Sequence, residues 1–343
     1  HYAFKASGSI GEVVGAFDIN ATANIIYRYN FEKNCSSSII HQRNIESLSL
    51  DYYDSFKANI WLMSPPCQPY TRTGLLRGSE DIRSKSFIYL IDLLDKINNP
   101  PTYILIENVK GFEESETRDI LIKQLNNCHY NYQEFFITPL QLGIPNSRLR
   151  YYMLAKKQQL EFKNSDNSRI LNHIPCSSYD QDFVDIRKTN NSNLIEEKIT
   201  DFKLNIVPIE KYLKIDDDVR YSIPNKILLK YGKLFDMILD IVKPSSTRSC
   251  CFTKGYYHYV EGTGSILQLN EELDAPQLFR QQLPDHEILT SLSLLRLRYF
   301  TEYEISQIMG FPKEFLFPDE ITLKQRYRVL GNSINVNVVS ELI

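Results

Sequence analysis

Along the first 155 residues, unbroken apolar runs alternate with apolar residues at helical spacing. EVVGAFDIN (12–20) predicts a buried strand closing on an acid, and ATANIIYRYNF (21–31) the helix after it. A second buried strand is predicted at NIWLMS (59–64). SKSFIYLIDLLDKI (84–97) has helical periodicity, and Asn98-Asn99-Pro100-Pro101 stops it. TYILIEN (102–108) is a strand, TRDILIKQLNNC (117–128) a helix, and YQEFFITP (132–139) and RLRYYMLAK (148–156) are two more strands. Strands separated by such helices imply βαβ units and a mostly parallel sheet, with ligands beyond the carboxyl ends of the strands.

The pattern fades from 158 to 225, where Asn, Asp, Ser and Lys dominate, and a polar, flexible insertion or small second domain is expected there. Periodicity returns with ILLKYGKLFDMILDIV (227–242). Thr301 and Glu304 have capping-box spacing before a helix that should stop at Gly310-Phe311-Pro312. Gly331-Asn332 reads as a turn into a final helix.

Composition narrows the class. With 343 residues, 43% hydrophobic and 24% charged, the chain is globular, with a soft prior of roughly two domains. A net charge of −3 argues against coating nucleic acid by bulk charge. No run approaches the roughly 18 apolar residues of a membrane helix. Cys35, Cys67, Cys128, Cys176, Cys250 and Cys251 form no CxxC pair, so neither a metal site nor a disulfide framework is expected. HYAFKASG has no signal-peptide core or initiator Met and reads like the inside of an element, so the expected N-terminus lies upstream.

Five places carry candidate chemistry, one of them the turn Gly331-Asn332-Ser333-Ile334-Asn335 before the last helix, which in isolation reads as an ordinary C-cap. In SPPCQPY (64–70) a strand ends, prolines stiffen the loop, and Cys67 follows. A lone cysteine usually packs as a small hydrophobe, but the flanking prolines favour an aimed nucleophile. Glu107-Asn108-Val109 closes another apolar strand. A thiolate and a carboxylate facing one site suit attack on an electron-poor ring. Arg148 and Arg150, on one strand face, would read phosphate or a polar base edge. Asp18, at a strand end, could take ribose hydroxyls, although no glycine-rich turn precedes it.

SPPCQPYTR, ENVKGF, IPNSRLRYY and LGNSINV, in this order, resemble the motifs of the cytosine carbon-5 methyltransferases. CFTKGYYHYVEGTGS (251–265) resembles the subgroup that methylates cytosine 38 of tRNA(Asp). The resemblance implies a Rossmann-like α/β fold that uses S-adenosylmethionine and releases S-adenosylhomocysteine. It implies that Cys67 adds to cytosine carbon-6, that Glu107 contacts the ring nitrogen and amine, and that Arg148 and Arg150 support the catalytic site. Asp18, Ile19, Asn44, Ile45, Ser64, Pro65, Asn332 and Ser333 would hold the cofactor. Cys251, Phe252, Thr253, Lys254 and Tyr256 would contact substrate. The family opens with a strand and a Phe-x-Gly-x-Gly-Gly-type loop, and this sequence starts just after it. As given, the chain should bind cofactor poorly.

The lobes expected are a catalytic domain at 1–157 and 288–343 and a small target-recognition domain at 158–287. Three acid-free basic windows (135–160, 243–257 and 321–333) adjoin the motifs and favour a phosphate-facing surface. Tyr256, Tyr257 and Tyr259 could stack on bases. A tRNA loop offers splayed bases, which lowers the cost of extracting the target. The expected protein is a monomer of cytoplasm and nucleus, acting on tRNA(Asp), weak on DNA and not bound to membrane. The rivals are a DNA cytosine-5 methyltransferase and a non-catalytic RNA-binding protein on the same scaffold.

Overall fold

The computed structural model describes residues 1–32, 38–66, 84–162, 169–175, 177, 205–214, 218–232, 239–279 and 284–343. Backbone contacts divide the chain into two compact units. The first is His1–Gln141, Leu149–Lys203 and Val338–Ile343; the second is Leu142–Arg148 and Leu204–Asn337. The 288–337 segment thus clusters with 204–287, whereas the expected lobes divide the chain by function.

In the first unit the described elements are α1 (Tyr2–Ala6), β1 (Ala16–Phe17), α2 (Ala21–Phe31), β2 (Ile40–His41), α3 (Leu50–Ser55), β3 (Ile60–Met63), α4 (Lys85–Leu93), β4 (Tyr103–Val109), α5 (Glu116–Asn127), β5 (Tyr130–Ile137) and β6 (Arg150–Lys157). β1 pairs with β2 in parallel. The larger sheet has the order β3-β4-β6-β5. β3 and β4 are parallel, and β6 runs antiparallel to both β4 and β5. Three of its four strands therefore share one direction. The β5–β6 connection carries no described α-helix, only the short 3-10 turn Pro139–Leu142, whereas parallel crossovers usually carry a helix.

Local signals explain these elements. α2 starts where the Asn20 side chain accepts from the Thr22 and Ala23 amides. α5 buries Thr117, Leu121 and Leu125, four residues apart, on one face. These leucines pack with Phe87 and Ile91 of α4 and with Ile104, Ile106, Tyr151 and Met153 of the sheet. Arg118 donates through Nε and Nη2 to both oxygens of Glu134 (2.8 and 2.6 Å), and the Tyr151 hydroxyl donates to the same carboxylate at 2.6 Å. This buried network ties α5 to β5 and β6. The strand expected over 12–20 shrinks to β1, whose described partner β2 offers only two residues.

The second unit contains α6 (Asn225–Gly232), β7 (Ile241–Val242), β8 (Ile266–Gln268), α7 (Ala275–Phe279), α8 (Asp285–Ser293), β9 (Leu297–Tyr299), α9 (Glu302–Ile308) and α10 (Leu323–Asn332). The last helix, α11, is Val336–Leu342. β8 pairs with β7 in parallel and with β9 antiparallel. The capping box forms: Thr301 Oγ1 accepts from the Glu304 amide, and the Glu304 carboxylate accepts from the Thr301 amide. Glu304 is fully buried and also takes two bonds from Arg298, at 2.7 and 2.8 Å. The expected polar insertion is partly core: Ile209, Tyr221 and Ile223 are buried here. Their irregular spacing hides them from a periodicity search.

Candidate active site

The β4–β6 register sets the first candidate pair. Val109 lies opposite Arg150 and Glu107 opposite Tyr152, so Glu107 and Arg150 are diagonal neighbours on one sheet face. Arg150 Nε lies 3.4 Å from Glu107 Oε1, with both side chains largely shielded from water. The carboxylate is thereby aimed at the carboxyl end of β4, where a parallel strand presents ligand-binding groups. Next to it, buried Asn108 donates from Nδ2 to the Pro65 carbonyl at 3.4 Å. That bond joins the Glu107 strand end to the Ser64-Pro65 segment leading toward Cys67. Cys67 itself lies outside the described residues.

Four of the expected cofactor residues leave the carboxyl ends of β1 and β2. Asp18 is exposed, with Oδ1 accepting from the Asn20 amide at 2.8 Å. Ile19 is 72% exposed. Asn44 caps a 3-10 turn by accepting from the Glu46 amide at 3.2 Å. The Ile45 carbonyl accepts from the Tyr53 hydroxyl at 3.0 Å. Ser64 and Pro65 follow β3. The structure brings these loops to one end of parallel strand pairs.

In the second unit Arg148 is 5% exposed and dedicated to protein. Nη1 donates to the Phe252 carbonyl and Cys251 Sγ, each at 3.2 Å. Nη2 donates to the carbonyls of Gly331 (3.3 Å) and Ser333 (2.5 Å). One guanidinium thus bonds the Cys251-Phe252 segment to the end of α10. This corrects the pairing of Arg148 with Arg150 as a phosphate reader. β6 begins at Arg150, so the strand argument that put both side chains on one face does not apply. Residue 147 instead bridges to 250, and Asn146 donates to Ser249 Oγ and the Cys250 carbonyl, each at 3.0 Å.

Gly331-Asn332 is not a turn but the end of helix α10. A Cβ on Gly331 would sit 2.2 Å from both the Lys254 nitrogen and the Thr253 carbonyl carbon. The glycine lets two backbones touch, bringing Thr253-Lys254 against the end of α10.

Tyr256 is also corrected. It is buried at 3% exposure, its hydroxyl donates to the Ser265 carbonyl (2.8 Å), and it accepts from the Phe300 amide (2.8 Å). Burial pushes its phenol well above the usual range. It is a core residue and offers no ring face to a base. Phe252 packs edge-on against Tyr256 and Phe300 in the same core. Tyr257 stacks on Tyr327, whereas Lys254 and Tyr259 are exposed. Some of the charge in the basic windows is balanced by acids outside them. Arg248 pairs with Asp240 at 3.3 Å and Arg326 with Glu302 at 2.8 Å. Lys254, Lys324 and Arg328 remain exposed.

One residue escaped the sequence reading. Asn24, buried on α2, donates to the Asp18 carbonyl and to Gln42. Its one sequence signal is an amide on a helix's inner face.

The family model described as C-5 cytosine-specific DNA methylase matches residues 1–343. The tRNA (cytosine(38)-C(5))-methyltransferase of Rattus norvegicus is 40% identical over 380 residues, covering 100% of this chain and 95% of the relative. A Dictyostelium discoideum protein named DNA (cytosine-5)-methyltransferase is 40% identical over 373 residues, covering 100% and 90%. The crystal structure of a Spodoptera frugiperda DNMT2 mutant aligns with a TM-score of 0.81 at 37% identity, covering 100% of this chain and 94% of that one. The architecture is accordingly the Rossmann-like α/β methyltransferase fold. With its family model matched from end to end, the chain belongs to the C-5 cytosine-specific DNA methylase family.

Proposed function

We propose that this protein methylates carbon-5 of cytosine 38 in tRNA(Asp), with S-adenosylmethionine as methyl donor and a covalent Cys67 adduct. The observation that supports the chemistry most is the Glu107–Arg150 pair at the end of β4. A held carboxylate suits hydrogen bonding to the ring nitrogen and amine of cytosine, which stabilises the ring after a nucleophile adds at carbon-6. Cys67, next in sequence to the segment that Asn108 tethers, is the proposed nucleophile. After carbon-5 is methylated, a base removes its proton and the thiolate is expelled.

The donor set fits an adenosine. Asp18 offers a carboxylate for ribose hydroxyls, and exposed Ile19 and half-buried Ile45 offer apolar surface for a purine ring. Ser64, Pro65, Asn332 and Ser333 are assigned to the methionine end. When bound, S-adenosylmethionine supplies an electrophilic methyl group. Cys251, Phe252 and Thr253 act by shaping the segment that Arg148 holds, and Lys254 and Tyr259 are placed to meet RNA. The catalytic domain is assigned to 1–157 with 288–343, and target recognition to 158–287.

The relatives' names favour RNA, with the Dictyostelium name keeping DNA as the rival. Equimolar tRNA(Asp) transcript and cytosine-containing duplex DNA, offered together with labelled donor, should separate them. We expect at least about tenfold more label on the tRNA, since a loop base needs little unstacking. Preferential labelling of the duplex would favour the DNA reading, and no transfer to either would favour a non-catalytic RNA-binding protein.

A further inference from the structure

Asn24 serves none of the roles above, yet it sits where two of them meet. Its side chain is 5% exposed on α2. Nδ2 donates at 2.9 Å to the Asp18 carbonyl, just past β1, and at 3.3 Å to Gln42 Oε1, just past β2. These loops carry Asp18 and Ile19 on one side and Asn44 and Ile45 on the other. Between β1 and β2 themselves run only two paired positions, Ala16 with Ile40 and Phe17 with His41. The Phe17 and His41 rings stack across them at 4.7 Å. So short a ladder fixes the strand ends weakly.

A helix face needing only packing would carry Ala or Leu, which favour helix more than Asn does. Burying an amide costs free energy unless its hydrogen bonds are made, and here the donors are used across the gap between the two loops. We propose that Asn24 is a positioning residue for the methyl donor. It holds the ribose-binding carboxylate of Asp18 at a fixed spacing from the adenine-flanking segment at 44–45. The proposal rests on the cofactor reading above and adds a residue that does not touch the cofactor.

The test uses full-length protein with Asn24→Asp, which keeps the shape but has no N–H to donate, and Asn24→Ala. Calorimetry with S-adenosylhomocysteine gives Kd, and initial rates give KM for S-adenosylmethionine separately from kcat. Both variants are expected to bind about tenfold more weakly, in the range seen when a supporting hydrogen bond is removed. At saturating donor, kcat should stay within about twofold of the parent. Unchanged Kd in both variants overturns the proposal. So does a fall in kcat that follows a loss of folded protein while KM stays put. A parent that fails to bind S-adenosylhomocysteine overturns the cofactor reading and this proposal with it; a parent that binds, with variants equal to it, overturns only the role of Asn24.

Discussion

The Cys67→Ala protein is expected to lose methyl transfer by at least about 10⁴-fold and to form no covalent RNA adduct. Carbon-5 of cytosine is a poor nucleophile until carbon-6 gains a substituent. Thiolate addition forms the S–C6 bond and moves the C5–C6 π pair onto carbon-5, which then takes the methyl group. Loss of the carbon-5 proton to a base and rupture of the S–C6 bond restore the ring. Alanine has no lone pair with which to begin. RNA carrying 5-fluorocytosine at the target would trap the adduct, because fluorine cannot leave carbon-5 as a proton does. Among the described residues Cys251 is the thiol that lies against an expected site residue, Arg148. Cys251→Ala should therefore keep the trapped adduct while Cys67→Ala loses it. The reverse result would move the nucleophile to Cys251.

Among the described glycines of the second unit, Gly331→Ala should be the most damaging alanine substitution. The new Cβ would meet backbone, 2.2 Å from the Lys254 nitrogen and the Thr253 carbon and 2.5 Å from the Thr253 oxygen. Backbone cannot swing aside as a side-chain tip can, so α10 and the 251–254 segment would separate by about 1 Å to reach ordinary contact. That motion pulls apart the carbonyls that Arg148 bridges, Phe252 on one side and Gly331 and Ser333 on the other. Overpacking of about 1–3 kcal/mol and weakened charged hydrogen bonds of about 1.5–3 kcal/mol oppose a helix-propensity gain of about 1 kcal/mol. A net loss of about 3 kcal/mol should lower Tm by roughly 4 °C. Methyl transfer should fall about hundredfold, since a displacement near 1 Å is enough to misalign a reacting centre. An unchanged or higher Tm would mean that propensity outweighs the contact.

Features encoded over a few residues were legible in the sequence. α2 spans 21–31 as its periodicity predicts, because its cap at Asn20 and its apolar spacing are local. The Thr301–Glu304 capping box is local too. Glu107 could be singled out because a carboxylate closing an apolar run breaks the pattern. Features that depend on distant partners were not legible. Gly331 looks like a turn until Thr253 and Lys254 come to rest against it. Arg148 looks like an anion reader until its carbonyl partners, more than a hundred residues away, arrive. Tyr256, in a segment rich in tyrosine, gives no hint of which ring is buried and which is exposed. Asn24 stayed hidden because its two acceptors, on Asp18 and Gln42, meet only when β1 and β2 pair.

The most direct test of the central claim is methyl transfer from labelled S-adenosylmethionine to tRNA(Asp) transcripts that differ only at position 38. Label on the transcript with cytosine 38 and none on the transcript with that base replaced is the predicted result. Equal labelling of the two transcripts would contradict it.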